Sequence, residues 1–212
     1  MLRNVIFDYM GVLASVDYKL MASKFGLIDK FKALRILIAI KKNPVFKKAF
    51  DEYQMGLLTR DDLYNIAAEH YPRAAAVVPK ILDNIPECIK ENKAVLALAE
   101  KLHNDGFKVI LLSNSIPETG FKIQNSDFVR YFDGFVLSHL IGMAKPNTDI
   151  FDFTCSVYDI KADESIFIDD KLENIEGAQK AKLKTMHCEN PTRLANRLGN
   201  LFYSQYQPQP NE

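Results

Sequence analysis

Hydrophobic and polar positions along this chain follow two periods. Short, nearly unbroken apolar runs cover residues 2–8, 107–112, 134–137, 165–168 and 184–187. Runs of that length without polar alternation fit strands covered on both faces. Between them apolar residues recur three and four apart. The clearest case is 93–103, where Val95, Leu96, Leu98, Ala99 and Leu102 mark one face and Gly106 the stop. Strands alternating with helices predict an α/β fold, a Rossmann-like parallel sheet flanked by helices.

The alternation breaks between residues 16 and 88. Successive helical patterns run over 17–25, 30–42, 44–53, 60–70 and 77–84, and Thr59 with Asp62 three residues on resembles a capping box that starts the fourth. These patterns predict a small helical bundle, 16–88, inserted after the first strand as a lid. The core is then 1–15 and 89–202. Residues 203–212, rich in Gln, Pro and Asn, are expected to be a disordered tail.

A chain of 212 residues can bury a good core as one domain with such an insertion. Its 27 basic and 27 acidic residues balance, so nothing favours nucleic acid or an anionic membrane as main partner. Cys88, Cys155 and Cys188 are too widely and irregularly spaced for a disulfide framework or a zinc site. The first residues show no leader pattern, and charges interrupt every apolar stretch before a membrane span is reached. A cytoplasmic setting is the expectation.

In an open parallel sheet the ligand site lies outside the carboxyl ends of the strands. That rule selects Asp8 after the first run, Ser113 and Asn114 after the second, and Asp169 and Asp170 after 165–168. Lys145, in Gly142-Met143-Ala144-Lys145-Pro146-Asn147, follows 134–137 and precedes a helix that Asn147 would cap. Converging carboxylates repel unless a cation sits among them, and hard oxygen ligands suit Mg²⁺. A phosphate would complete the shell. Lys145 can neutralise its other oxygens, while the Ser113 hydroxyl and backbone N–H groups around Asn114 and Gly11 can donate to it. Asp8 is then placed to attack phosphorus and form an aspartyl phosphate.

Four segments in order, Phe7-Asp8-x-x-Gly11-Val12-Leu13, Leu111-Leu112-Ser113-Asn114, Lys145-Pro146 and Phe167-Ile168-Asp169-Asp170-x-x-x-Asn174-Ile175-x-Gly177-Ala178, resemble the haloacid dehalogenase (HAD) superfamily. The matching branch carries a helical cap after the first strand (subclass I, C1 cap). The resemblance implies Asp8 as nucleophile and Ser113 and Lys145 as phosphate binders. It implies that Asp8, Asp169, Asp170 and the backbone carbonyl of Met10 hold Mg²⁺. The place of Met10 is normally an aspartate that serves as general acid and base. A thioether does neither, and such help is worth about 10² to 10⁴ in rate.

The implied function is therefore a Mg²⁺-dependent phosphohydrolase of small phosphorylated metabolites, slowed by Met10. The alternative is a catalytically silent relative that binds a phosphate ligand or partner. A 2-haloacid dehalogenase comes third, because attack on carbon needs no Mg²⁺ and those enzymes tend to replace the last acids with small polar residues. Asn174 is expected to orient the acidic loop, and His139 is the one histidine near the strand ends. Asp17 and Glu118 are the nearest acids that could stand in for the missing one. Nine basic residues between Lys19 and Lys48, against Asp29 alone, read as a solvated face or as steering for an anionic substrate.

Overall fold

The structure, a computed structural model, describes residues 2–24, 43–72 and 77–203. The first strand, β1 (Asn4–Phe7), is buried throughout. A turn leads to β2 (Ala14–Val16) and then into four described helices, α1 (Tyr18–Lys24), α2 (Pro44–Gln54), α3 (Arg60–His70) and α4 (Val78–Asn84). β3 (Ile89–Glu91) returns antiparallel to β2, with Ala14 opposite Glu91 and Val16 opposite Ile89. The helical insertion thus leaves and rejoins the chain through one two-stranded ribbon.

After the ribbon come α5 (Lys93–Asn104), β4 (Lys108–Ser113), α6 (Pro117–Gln124), β5 (Gly134–Leu137) and α7 (Ser138–Ile141). The chain ends with α8 (Thr148–Val157), β6 (Ser165–Asp169), α9 (Leu172–Lys180), β7 (Lys184–His187) and α10 (Pro191–Tyr203). Five strands form one parallel sheet in the order β5-β4-β1-β6-β7. β1 lies at its centre, where the strand order switches direction. Phe7 is in register with Leu111 on one side and Ile168 on the other, so the residues after all three emerge together.

Side chains alternate across each strand, and both faces are covered. Val5, Phe7, Val109, Leu111, Ile166 and Ile168 pack with Val95, Leu102, Leu194 and Leu198 of α5 and α10. Ile6, Ile110, Leu112 and Phe167 pack on the other face with Ile150, Phe151, Ile175 and Ala178 of α8 and α9. The insertion has its own cluster, Phe46, Ala49, Tyr53, Leu63, Ala67, Val78 and Leu82, which one core residue, Ile116, joins.

All five predicted strands form, with β4 and β6 each one residue longer at the site end. The capping box is present in both directions between Thr59 and Asp62. The β2–β3 ribbon was not expected, since strands of three residues are too short to show a period. Asn147 does precede α8, but its side chain makes no capping bond. The pattern at 30–42 and residues 204–212 of the tail lie outside the described residues, while Tyr203 ends α10 and donates to Asp105 at 2.7 Å. The three cysteines are unbridged. Among the described residues no helix is long and apolar enough to cross a membrane.

Gly177 of α9 faces the Pro146 carbonyl so closely that a Cβ there would overlap it. Gly177→Ala is expected to lower stability by about 1–3 kcal/mol, because backbone must move. Gly199 of α10 faces open space. Gly199→Ala is expected to add about 0.5–1 kcal/mol by removing the helical cost of glycine. Urea unfolding of the two variants beside wild type checks both signs.

Candidate active site

Asp8 extends the β1 ladder by one residue, its N–H donating to the Ile168 carbonyl at 2.9 Å. Its carboxylate meets the ammonium of Lys145, which arrives on the loop between α7 and α8. Lys145 Nζ donates to Asp8 Oδ1 at 2.6 Å, to Asp169 Oδ2 at 2.8 Å and to the Leu112 carbonyl at 2.9 Å. All three ammonium hydrogens are thereby used. Asp8, Lys145 and Asp169 are only 6%, 4% and 0% exposed, so each charge depends on the others for its stability.

Asp169 is held from its other sides as well. Asn174, in the first turn of α9, donates to Oδ2 at 2.9 Å, and the Lys171 N–H donates to Oδ1 at 2.8 Å. Asn174 does orient the acidic loop. Carboxylate oxygens of Asp8, Asp169 and Asp170 lie within 4.8 Å of one another, with Asp170 on the exposed side. A trio of hard oxygen donors with one open flank fits Mg²⁺.

Burial pushes the Asp8 carboxyl up, Lys145 opposes that and the Asp169 charge adds to it, with the outcome raised to about 7. Burial works against the Lys145 ammonium too, but the Asp8 and Asp169 charges outweigh it and hold its pKa above the ordinary lysine value. Burial and the neighbouring Asp169 raise Asp170. Bringing a divalent cation among the three would relieve the shared repulsion.

Gly11 takes a different part from the one expected. Its N–H donates to the Ala14 carbonyl at 2.7 Å, closing the turn after β1, and so is not turned to a phosphate. It sits at φ +92°, which only glycine adopts easily, and a Cβ there would run into the Asp170 carboxylate. Its role is to let that acid approach. Met10 stands beside it, its side chain partly buried against the core.

Asn114 holds the lysine loop through its side chain. Its side-chain amide donates to the Lys145 carbonyl at 2.8 Å while its Oδ1 accepts the Lys145 N–H at 2.9 Å. Both ends of the amide clamp the lysine loop, so the side chain is spent on position and not on phosphate. Ser113 ends β4 nearly buried, and its hydroxyl has no hydrogen-bond partner among the described residues.

Of the secondary candidates, Asp17 caps α1, accepting the N–H groups of Lys19 and Leu20 at 3.0 and 2.9 Å. Glu118 accepts the Tyr53 hydroxyl at 2.9 Å on each oxygen and lies 3.8 Å from Arg60. His139 Nδ1 is 3.0 Å from Ser115 Oγ, and burial lowers its pKa. Glu118 and His139 line a cavity of about 730 Å³ between insertion and core, together with Tyr53, Arg60, Leu82 and Phe121. In the basic stretch Lys24 pairs with Glu87, Lys47 with Asp51 and Lys48 with Glu52. Lys30, Lys32, Arg35, Lys41 and Lys42 lie outside the described residues.

The sequence reading missed Gln54, an insertion residue that reaches the site loop. Its Nε2 reaches the Asn114 carbonyl at 3.4 Å, and its own carbonyl accepts the Ser138 hydroxyl at 2.5 Å. A polar residue at a helix end gives no sequence signal for such a contact.

A raised carboxyl has a defined sign for stability. Folded Asp8 keeps a proton that the unfolded chain loses above its ordinary value of 3.8, so metal-free stability should fall as pH climbs from about 4 to about 7 and then level off. Asp8→Asn removes that titration, so in EDTA its thermal midpoint should fall less than that of wild type over the same interval. Asn114→Ala is expected to cost about 1–3 kcal/mol, because it leaves buried backbone groups of Lys145 unpaired; urea unfolding checks it.

A sesquiterpene phosphatase of Aspergillus oryzae is 25% identical over 187 residues, which cover 87% of this chain and 89% of the relative. A D-ribitol-5-phosphate phosphatase of Bacteroides thetaiotaomicron is 26% identical over 208 residues, covering 90% and 93%. A solved structure of a HAD family enzyme from Bacteroides thetaiotaomicron, in complex with magnesium and inorganic phosphate, shares the fold with a TM-score of 0.69 at 22% identity, over 88% of this chain and 94% of that one. Haloacid dehalogenase-like hydrolases as a family match residues 2–182, so the chain that builds this carboxylate and lysine cluster belongs to the haloacid dehalogenase-like hydrolase family.

Proposed function

We propose that the protein is a Mg²⁺-dependent phosphohydrolase of small organic phosphates that works through an aspartyl phosphate on Asp8. The observation that carries this reading is the buried Lys145 ammonium bridging Asp8 and Asp169, with Asp170 completing a carboxylate trio. A fixed positive charge beside a nucleophilic carboxylate is what an incoming dianionic phosphoryl group requires. Asp8, Asp169, Asp170 and the Met10 carbonyl would hold Mg²⁺, which when bound offsets phosphoryl charge. Ser113 donates to the phosphoryl oxygens, and the Lys145 ammonium gives up one of its present contacts to bind and neutralise them. Asp8 attacks phosphorus in line with the departing oxygen, and water then returns the carboxylate.

Residues 16–88 act in this reading as a cap over a core of 1–15 and 89–202, and exclude water when closed. Contact of Gln54 with the Asn114 loop supports that role. Both phosphatase relatives, one named for a sesquiterpene and one for D-ribitol 5-phosphate, support an organic phosphate as substrate. The related enzyme bound to magnesium and inorganic phosphate supports the cation. Dehalogenation is disfavoured, because three clustered acids serve a cation that attack on carbon does not use. Three unbridged cysteines suit a reducing, cytoplasmic setting. Met10 favours the second reading, a phosphate binder without turnover.

Phosphate release from 4-nitrophenyl phosphate, with and without Mg²⁺, separates the two readings. Metal-dependent release that Asp8→Asn abolishes is expected; phosphate binding without release would establish the silent binder. Mg²⁺ should raise the thermal midpoint of wild type, and less so in Asp170→Ala. Because the cation must displace a proton from Asp8, its affinity by calorimetry should climb with pH up to about 7 and then flatten.

A further inference from the structure

Breaking the bond from phosphorus to an alkyl oxygen releases an alkoxide, and that oxygen needs a proton as it departs. General acid help of this kind is worth about 10² to 10⁴ in rate. The question is which group could supply it. Among the described residues near the strand ends, the acidic side chains are engaged elsewhere, and His139 lines a cavity whose lining does not include Asp8, Asp169 or Asp170. Asp17 is taken by the backbone of α1, and Glu118 by Tyr53 and Arg60.

His139 is turned to Ser115, and His187 lies 3.0 Å from the Asp170 carbonyl and 3.7 Å from Glu189. The Cys188 thiol donates to the Gly11 carbonyl at 3.6 Å. Tyr9, next to the nucleophile, is wholly buried in the apolar cluster beside Phe128. Asp8, Asp169 and Asp170 form the cation site. Met10, two residues past the nucleophile, has no proton to give.

We propose that the natural substrate carries its phosphate on an oxygen that is stable without a proton: a phosphoanhydride, an acyl phosphate or a phosphorylated phenol or enol, and not a phosphorylated alcohol. This rests on the phosphohydrolase reading above and narrows its substrate. An Asp8 oxygen bonds to phosphorus while the bond to the leaving oxygen breaks, both electrons staying with that oxygen. It departs as a phosphate, carboxylate, phenolate or enolate and takes no proton. Water then attacks phosphorus, the bond to Asp8 breaks to restore the carboxylate, and the proton from water leaves with inorganic phosphate.

An alkyl diphosphate and the matching alkyl monophosphate make the sharpest pair, since only the leaving oxygen differs. Acetyl phosphate and 4-nitrophenyl phosphate, run alongside, distinguish acyl and aryl sources from the anhydride. Wild type with Mg²⁺ is expected to release phosphate from the activated compounds and to stop the diphosphate after one equivalent, with the monophosphate slower by about 10²-fold or more. Met10→Asp is expected to raise kcat/KM for the monophosphate by about 10² to 10⁴ and to narrow its gap to the activated compounds, which gain only in the water step. If that variant does not fold, the wild-type ratio alone decides. Wild-type hydrolysis of the monophosphate within tenfold of the diphosphate would overturn the proposal and leave the phosphohydrolase reading standing. Absence of Asp8-dependent release from every compound would overturn both.

Discussion

An ammonium group almost sealed from water ties three separate parts of the chain together. Lys145 reaches from the loop before α8 to the end of β1, the end of β6 and the Leu112 carbonyl of β4. Burying any one of these charges alone would cost several kcal/mol, so each is stable only while the others are in place. The rest of the site is arranged around that condition. Asn114 fixes the lysine backbone, Asn174 and the Lys171 N–H fix Asp169, and Gly177 leaves room for the lysine loop to lie against α9.

Much of this was legible because sheet and site share one cause. Strands covered on both faces must be apolar until they end, so a polar residue at the end of an apolar run marks the ligand edge. Asp8, Ser113 and Asp169 were found in that way, and the register of Phe7 with Leu111 and Ile168 brings them together. What stayed hidden was the choice of hydrogen-bond partner. The Gly11 N–H looked available for phosphate, and local turn geometry gave it to Ala14 instead, while the hold of the Asn114 side chain on Lys145 left no mark in the sequence. Tyr53, Gln54 and Ser138 carried no signal at all, since a polar residue that joins two parts of a fold looks like one that faces solvent.

The segment after β4 serves both halves of the molecule. Ser113 and Asn114 belong to the site, and within four residues Ser115, Ile116 and Glu118 have turned to the insertion. Ile116 enters its apolar cluster, Glu118 holds Tyr53, and Ser115 shares Ser138 with the end of α2. Gly56 lies against the His139 backbone so closely that a side chain would not fit. The insertion is thereby tied through a few bonds to the loop after β4.

The β2–β3 ribbon places the two ends of the insertion side by side, Val16 opposite Ile89. The chain between them satisfies that closure and, through Tyr53, Gln54 and Gly56, a few contacts with the segments after β4 and β5. A change in the inserted helices therefore reaches the five-stranded sheet through the ribbon and those contacts, while the hydrogen bonds that hold Lys145 to Asp8 and Asp169 join core residues only.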